Sequence, residues 1–213
     1  MHMKLKPTIV YCISLLLLPL LAVSQTPEEQ AYRERILNER ANRDQVMRNP
    51  DISPLTPAQI QRFNALSYFE IDPKYRVNGR LTIDPDQERV MLTMTDNSVQ
   101  GFIRYGSVTF SLDGKTHRLD VFVDQNQPEF RDNPGQLFIP FKDGTTGEET
   151  SENGRYIIIN LPEPGKDIVE LDFNKAYSTH NAYNSQTVSF MPPIGNILEP
   201  AMAVGQRKFE DRL

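Results

Sequence analysis

The chain of 213 residues is long enough for one globular domain with an additional segment, and its formal net charge is −5. It contains a single cysteine, Cys12, and no tryptophan. An acidic chain is a poor candidate for binding nucleic acid or anionic lipid. A lone cysteine has no partner within the chain for a disulfide.

Residues 1–24 have the features of a secretory signal peptide. Two lysines precede an apolar run from Ile9 to Val23, and Ala22-Val23-Ser24 supplies small residues at the two positions that signal peptidase reads. The alternative is a permanent membrane anchor, but the run is shorter than the roughly 20 residues that a membrane span needs, and Pro19 interrupts it. We therefore expect a periplasmic or secreted protein with no stable membrane insertion after cleavage.

Cleavage would change the chemistry of the mature chain. The basic residues would fall from 23 to 21 against 28 acidic residues, so the net charge would become −7. Cys12 would also be removed, and the mature protein would then have no thiol nucleophile, disulfide or cysteine metal ligand.

A charged helix is predicted next, in residues 25–48. Thr26 can cap its first turn, Pro27 suits the first helical position, and Glu29 completes a capping box. Charged side chains cover nearly every side of the helix, which is therefore expected to be solvated, either lying along the domain or projecting from it. Partner binding by this helix is a further hypothesis. Its apolar stripe is thin and consists of Tyr32, Ile36 and Met47.

The remaining residues, 49–213, are predicted to form a mainly β domain. Its clearest element is a hairpin from Tyr105 to Asp124, in which Asp113-Gly114 favours a two-residue type I′ turn. That turn places Phe110 opposite His117. The apolar residues of the hairpin then share one face, which consists of Val108, Phe110, Leu112, Leu119 and Val121.

Turn signals separate further strands on both sides of the hairpin, and a short helix from Pro57 to Leu66 is expected before them. Strands with this spacing indicate an antiparallel sandwich or a partly open barrel with an N-terminal helical appendage. The further strands are predicted at Tyr75–Ile83, Arg89–Thr95, Gln136–Phe141, Gly154–Leu161 and Ile168–Phe173, with a short one near Ala201–Val204.

Several stretches of the chain form an ordered set that is fairly specific when taken together. They are Ser53-Pro54-Leu55, Phe69-Glu70-Ile71-Asp72, Tyr75-Arg76-Val77, Phe141–Thr150 leading to Gly154-Arg155-Tyr156, and Asp172–Tyr177 followed by Ala182-Tyr183-Asn184. This set resembles the bacterial and archaeal family known as domain of unknown function 1684. The resemblance covers about residue 49 to the C-terminus, and it implies no activity because none is established for that family.

The sequence departs from the family's pattern at two positions. Asn181 and Ser189 stand where the family carries cysteines. Any disulfide or shared ligand that those cysteines form in relatives is therefore missing from this chain.

Six side chains are candidates for binding a ligand. Arg155 could bind a carboxylate or phosphate through its guanidinium fork, or it could pair with Asp172 as an internal buttress. His117 could act as a base or ligand in a cavity, or it could be a core-edge histidine with a local hydrogen bond. The complete set is His117, Arg155, Tyr156, Asp172, Asn174 and Tyr177.

No motif in the sequence assigns a reaction. The chain lacks the GxSxG of serine hydrolases and the HExxH of zinc proteases, and the loop from Asp143 to Thr150 lacks the GK[ST] ending of a phosphate loop. His117 and His180 do not make a metal site unless a carboxylate lies beside them, so we predict neither a metal nor a cofactor.

The favoured hypothesis is an exported, non-catalytic ligand-binding or structural module of the cell envelope. Its partner would be an unknown small molecule or an envelope protein, and not nucleic acid. The alternative is a hydrolase-like enzyme with a polar pocket around Arg155 and Asp172.

Overall fold

The computed structural model describes residues 26–123 and 135–210. The predicted signal peptide, residues 1–24, and Asp124 at the end of the predicted hairpin lie outside the described residues. Within them, no helix combines the length and apolar character needed to cross a membrane. The same residues contain no group of three or more His, Cys, Asp or Glu side chains placed to hold a metal ion.

The described part of the chain forms two α-helices and eight β-strands. Helix α1 is Pro27–Arg48, and α2 is Pro57–Arg62, which ends before the predicted Leu66. The strands are β1 Arg76–Ile83, β2 Arg89–Thr93, β3 Val99–Leu112, β4 Lys115–Val123, β5 Gln136–Phe141, β6 Arg155–Asn160, β7 Ile168–Asp172 and β8 Tyr177–Ser178.

All eight strands belong to one antiparallel sheet that is not closed. The order is β7-β1-β3-β4-β5-β6-β8, and β2 pairs with the first part of β3. Strand β3 is bent by a shift of register between Arg104 and Gly106. Only glycine fits at position 106, because a Cβ atom there would clash with the carbonyl oxygen of Thr82. The prediction of a mainly β fold is confirmed, and the sheet is open and not a closed barrel.

The central hairpin has the predicted register, with Phe110 opposite His117. Asp113 and Gly114 have φ values of 52° and 73°, the positive values that a type I′ turn requires at both positions. All five residues of its apolar face are buried, and so is Ser107 on the polar face. The hairpin therefore follows from local turn chemistry and alternation.

The prediction of a short strand near Ala201–Val204 is wrong. This segment forms no ladder with another strand, and the carbonyl oxygens of Met202 and Val204 instead accept hydrogen bonds from the Arg155 guanidinium. Strand β8, which pairs with β6, replaces it as the short strand of the C-terminal region.

The main core lies on one face of the sheet. Strands β1, β3, β4, β5, β6 and β7 each contribute buried apolar side chains, and the C-terminal segment, residues 198–210, packs against them through Leu198, Met202 and Val204. Removing this area from water is the main favourable term in the folding of the chain. The large side chains of this core that are most completely buried are Leu119, Leu137, Ile139, Phe141, Ile157, Leu171 and Phe173.

Helix α1 begins with the predicted capping box and lies along the domain. Its buried residues include Ile36, which has 1% of its surface exposed and packs in a small cluster with Tyr32 and Ile71. Arg33 and Arg40 add hydrogen bonds of 3.1 Å to the carbonyl oxygens of Ile71 and Phe69. One face of this otherwise charged helix is thus held against the sheet.

Candidate functional site

Five side chains of α1 form one stripe facing the domain, because residues three or four apart lie on the same side of a helix. The ends of the stripe are buried and largely apolar, whereas its middle holds two arginines that are only partly exposed. The stripe therefore brings two guanidinium groups between the helix and the sheet. Its members are Tyr32, Ile36, Arg40, Arg43 and Met47.

A cleft of about 330 Å³ lies where α1 faces the sheet. Helix α1 provides one wall, while strands β5, β6 and β8 and the residues before β1 and β8 provide the other. We call it the α1 cleft. Its lining residues are Ile36, Glu39, Arg40, Arg43, Tyr68, Gln136, Ile158, Asn160, Lys175 and Tyr177.

Arg40 is held against the Tyr68 ring, with its guanidinium carbon 4.4 Å from the ring centroid. Its Nη1 donates to the carbonyl oxygen of Phe69 at 3.1 Å. Its Nε and Nη2 are shielded from solvent and have no hydrogen-bond partner among the described residues. Burial lowers the pKa of Arg40, because removal from water penalises the charged form.

Arg43 lies over Tyr177, with 3.3 Å between its guanidinium carbon and the ring centroid. The Tyr177 ring in turn contacts Tyr156, with 3.9 Å between centroids. Burial lowers the pKa of Arg43, but the surrounding phenols, with Tyr177 first among them, raise it by more. Burial also raises the pKa of Tyr156 well above its ordinary value, so that this phenol stays protonated at neutral pH.

The charges around the α1 cleft do not balance. Glu39 and Lys175 neutralise each other in an ion pair of 2.9 Å at the partly exposed rim. Neither Arg40 nor Arg43 has an ion pair with any carboxylate in the described part of the chain. The cleft is therefore lined by two guanidinium groups that form no ion pair with a carboxylate among the described residues.

The lining of the α1 cleft is rich in hydrogen-bond donors, which are supplied by Arg40, Arg43, Lys175, Tyr68 and Tyr177. Among the described residues that line the cleft there is no serine, threonine, cysteine or histidine, the usual nucleophiles and bases. Its one carboxylate, that of Glu39, is paired with Lys175. Guanidinium groups and phenols are donors suited to an anion.

The structure separates the six residues predicted from the sequence into distinct surroundings. Tyr177 lines the α1 cleft, and its ring contacts that of Tyr156. Arg155 neighbours Tyr156 on β6 but is buried, with 2% of its surface exposed. Its side chain points to the other face of the sheet, because successive strand residues alternate.

Arg155 pairs with Asp143 and not with Asp172. Its Nη2 lies 2.5 Å from Oδ2 of Asp143, and both side chains are almost completely buried. The remaining donors reach carbonyl oxygens of the C-terminal segment, in Met202 at 3.1 Å, in Val204 and in Gln206 at 3.3 Å. Both terminal nitrogens of the guanidinium group are thus occupied by this pair and these carbonyl groups.

Asp172 and Asn174 contact each other at the end of β7. The Asp172 carboxylate accepts hydrogen bonds from the backbone N–H of Asn174 at 3.1 Å and from the Tyr32 hydroxyl at 3.0 and 3.1 Å. Asn174 also bridges to Asp72, donating to its carbonyl oxygen at 2.8 Å. Burial raises the pKa of Asp172. These contacts join α1, β7 and the residues before β1.

His117 lies at the edge of the core, with its ring 5.5 Å from that of Phe110. Its Nε2 is shielded and has no hydrogen-bond partner among the described residues. It does not line the α1 cleft.

A second, larger cleft of about 490 Å³ lies between α2 and the C-terminal segment. Its lining is balanced in charge, with three basic residues, Arg62, Arg207 and Lys208, and three acidic residues, Glu148, Glu149 and Glu210, and Arg207 pairs with Glu149. We therefore regard the smaller α1 cleft as the candidate site, because its arginines have no ion pair with a carboxylate among the described residues.

A family model described as "Protein of unknown function (DUF1684)" matches residues 61–207. The chain belongs to this family. Its fold is also similar to the solution NMR structure of an uncharacterised protein of Haloarcula marismortui, at 30% sequence identity and a TM-score of 0.64, covering 84% of this chain and 96% of that one. No match was found among curated proteins. The resemblance seen in the sequence is confirmed.

The matched range begins after α1, so the two sides of the α1 cleft come from different parts of the chain. Tyr68 and the sheet residues lie within the family match, whereas Arg40 and Arg43 precede it. The two positions at which the family resemblance places cysteines are neighbours here, since the backbone N–H of Asn181 donates to Oγ of Ser189 at 3.1 Å.

Sequence reasoning missed Arg40, Arg43 and Tyr68. The signal was present, because both arginines continue the helical spacing that starts at Tyr32 and Ile36. A search for apolar residues alone overlooks them, although arginine stems can be buried along apolar surface with the charged end in a polar setting.

Proposed function

We propose that this protein is an exported, non-catalytic module that binds a small molecule in the α1 cleft. The observation that carries the proposal is the pair of guanidinium groups, those of Arg40 and Arg43, held between helix and tyrosine rings without a carboxylate partner among the described residues. A cleft with a few convergent polar groups on largely apolar walls is the usual form of a small-molecule site.

Export is the second part of this proposal and rests on residues 1–24. Their basic start, apolar run and small residues before position 25 are those of a signal peptide. A periplasmic or secreted setting would expose the cleft to extracytoplasmic small molecules, or to ligands delivered by an envelope protein.

The hydrolase-like alternative around Arg155 and Asp172 has weaker support. Catalytic groups must reach one reacting centre. Arg155 directs its donors to Asp143 and to the C-terminal carbonyl groups, while the Asp172 carboxylate accepts from Tyr32 and Asn174. Neither side chain lines the α1 cleft.

The test is the native mass of the mature protein, purified gently from its own compartment and compared with its denatured mass. We expect an excess mass that disappears on denaturation. Ile158→Trp, which fills the cleft, should abolish the excess, whereas Ile194→Trp, at a side chain that is 89% exposed, should retain it. An excess that survives in Ile158→Trp, or no excess in the unmodified protein, would count against binding in this cleft.

A further inference from the structure

The unpaired donors of Arg40 form one edge of its guanidinium group. Nε and Nη2 direct their N–H bonds to the same side, and this is one of the two-pronged edges that match a carboxylate or phosphate. The opposite nitrogen, Nη1, is anchored on the carbonyl oxygen of Phe69. The group is therefore held in place while the edge suited to an oxyanion has no acceptor among the described residues.

The electrostatic setting selects for negative charge. Arg43 adds a second cation, and the one acid among the described residues that line the cleft, Glu39, is paired with Lys175. A neutral ligand would leave both arginines without an ion pair to any described carboxylate, in a site partly removed from water, where charge interactions are stronger than in solution. An oxyanion would compensate them.

The walls limit the size and shape of the ligand. A volume of about 330 Å³ is at the small end of the range for organic ligands. The tyrosine rings and Ile36 and Ile158 offer flat or apolar surface on either side of the arginines. This combination fits a small acid with a short apolar or planar body.

We propose that the α1 cleft binds the oxyanion group of a small carboxylic acid or phosphate ester, with the Nε/Nη2 edge of Arg40 chelating the oxygens and Arg43 supplying the second positive charge. This inference rests on the proposed function, because it specifies the ligand of the same cleft.

Ligand binding would produce a signal from Tyr68. The Nε and Nη2 atoms of Arg40 are closed to solvent, and the Tyr68 ring covers the guanidinium group. An oxyanion can reach them only if a covering side chain moves. The protein has no tryptophan, so its intrinsic fluorescence comes from tyrosine and reports such a movement directly.

The experiment titrates the mature protein, residues 25–213, with inorganic phosphate in one arm and succinate in the other, at constant ionic strength held with chloride. Tyrosine fluorescence and titration calorimetry follow binding. We expect saturation in at least one arm, with a dissociation constant of about 1 mM, a typical scale for so small a ligand. Phosphate alone would identify a phosphate ester as the ligand class, and succinate alone a carboxylic acid.

The variants assign the binding to Arg40. Arg40→Met should weaken it at least about tenfold, since a desolvated charge pair is lost. Arg40→Lys should also weaken it, because lysine keeps the charge but not the fork. Arg35→Met is the matched control, an exposed arginine of the same helix that does not line the cleft, and it should bind as the unmodified protein does.

If Arg40→Met fails to fold, two other measurements still test whether Arg40 binds the anion. The Nε–H signal of Arg40 in an NMR spectrum of the unmodified protein should move on addition of the bound anion, and Arg40→Lys should show the weaker binding. Lack of saturation in both arms, or equal binding by Arg40→Lys and the unmodified protein, would overturn the oxyanion assignment. If the oxyanion assignment fails, the proposed function can still hold with a neutral ligand. A native mass excess that is abolished in Ile158→Trp would support it.

Discussion

The hydroxyl of Tyr32 donates to both carboxylate oxygens of Asp172, at 3.0 and 3.1 Å, across 140 residues of sequence. Tyr32 lies in the second turn of α1, and Asp172 ends β7 at the edge of the sheet. This contact fixes the helix against the sheet, and the same helix face carries Arg40 and Arg43 into the α1 cleft. The site is therefore only as well formed as the docking of α1.

Removing the Tyr32 hydroxyl should destabilise the protein. Tyr32→Phe leaves the buried Asp172 carboxylate without one of its donors, and we expect a loss of about 1–3 kcal/mol in the free energy of unfolding. Tyr105→Phe is the control, because Tyr105 is a partly buried residue of β3 with no such hydrogen bond among the described residues. Urea unfolding of both variants measures the difference. Equal losses would contradict the role given to the hydroxyl.

Two neighbouring residues of α1 test whether the helix packs through one face. Ile36 is 1% exposed, whereas Leu37 is 55% exposed. Ile36→Ala should cost about 2–5 kcal/mol, because it removes buried methyl groups and leaves a cavity. Leu37→Ala should change the stability by no more than about 0.5 kcal/mol. Thermal or urea unfolding distinguishes them, and similar values would indicate that α1 does not dock as described.

The buried ion pair between Arg155 and Asp143 should be far more costly to break than a surface pair. Arg155→Met leaves the Asp143 charge uncompensated in the interior, and we expect a loss of about 3–5 kcal/mol. Arg80→Met removes the partner of Asp167 from a pair whose side chains are 64% and 48% exposed, which should cost about 0–1 kcal/mol. Comparable losses in chemical denaturation would show that Arg155 is not the buttress of the C-terminal segment.

The parts of the fold that sequence predicts correctly depend on local chemistry. The Asp113-Gly114 turn sets the register of β3 and β4, and the alternation of apolar residues then fixes which face is buried. The start of α1 follows in the same way from Thr26, Pro27 and Glu29. None of these features needs knowledge of distant residues.

The candidate site depends on distant pairings, which the sequence does not specify. Arg155 has acids within reach at many sequence separations, and only the folded chain selects Asp143 over Asp172. The α1 cleft likewise joins residues from position 36 to position 177. The sequence predicts Tyr156 and Tyr177 as candidates. Their neighbour Arg43 lies on α1, whose charged composition predicts a solvated helix.

Four tyrosines make the protein sensitive to alkali, because burial raises the pKa of each above the ordinary value of 10.0. A raised pKa in the folded state means that the phenol keeps its proton to a higher pH in the folded form than in the unfolded form. This contribution to stability is complete below about pH 10 and is lost as the pH rises through the folded-state pKa. The residues are Tyr32, Tyr68, Tyr156 and Tyr183.

We therefore expect these phenols to ionise together with unfolding. Tyrosinate absorbance and circular dichroism, followed in one alkaline titration, should show a late absorbance step that coincides with loss of the β signal. A fully reversible ionisation of every tyrosine with the β signal intact would contradict the burial of these four side chains.

Asn181 and Ser189 lie close together, since the Asn181 N–H donates to Oγ of Ser189 at 3.1 Å. We expect Asn181→Cys/Ser189→Cys to oxidise to an intramolecular bond. Closing so short a loop restricts the unfolded chain and should stabilise the protein by about 2–3 kcal/mol. Lost hydrogen bonds of the Asn181 side chain to Asn153 and Thr187 offset part of this gain. Mass spectrometry without reductant detects the bond, and the reduced form of the same variant is the control for its Tm. Two free thiols after oxidation would show that these positions are too far apart or wrongly oriented.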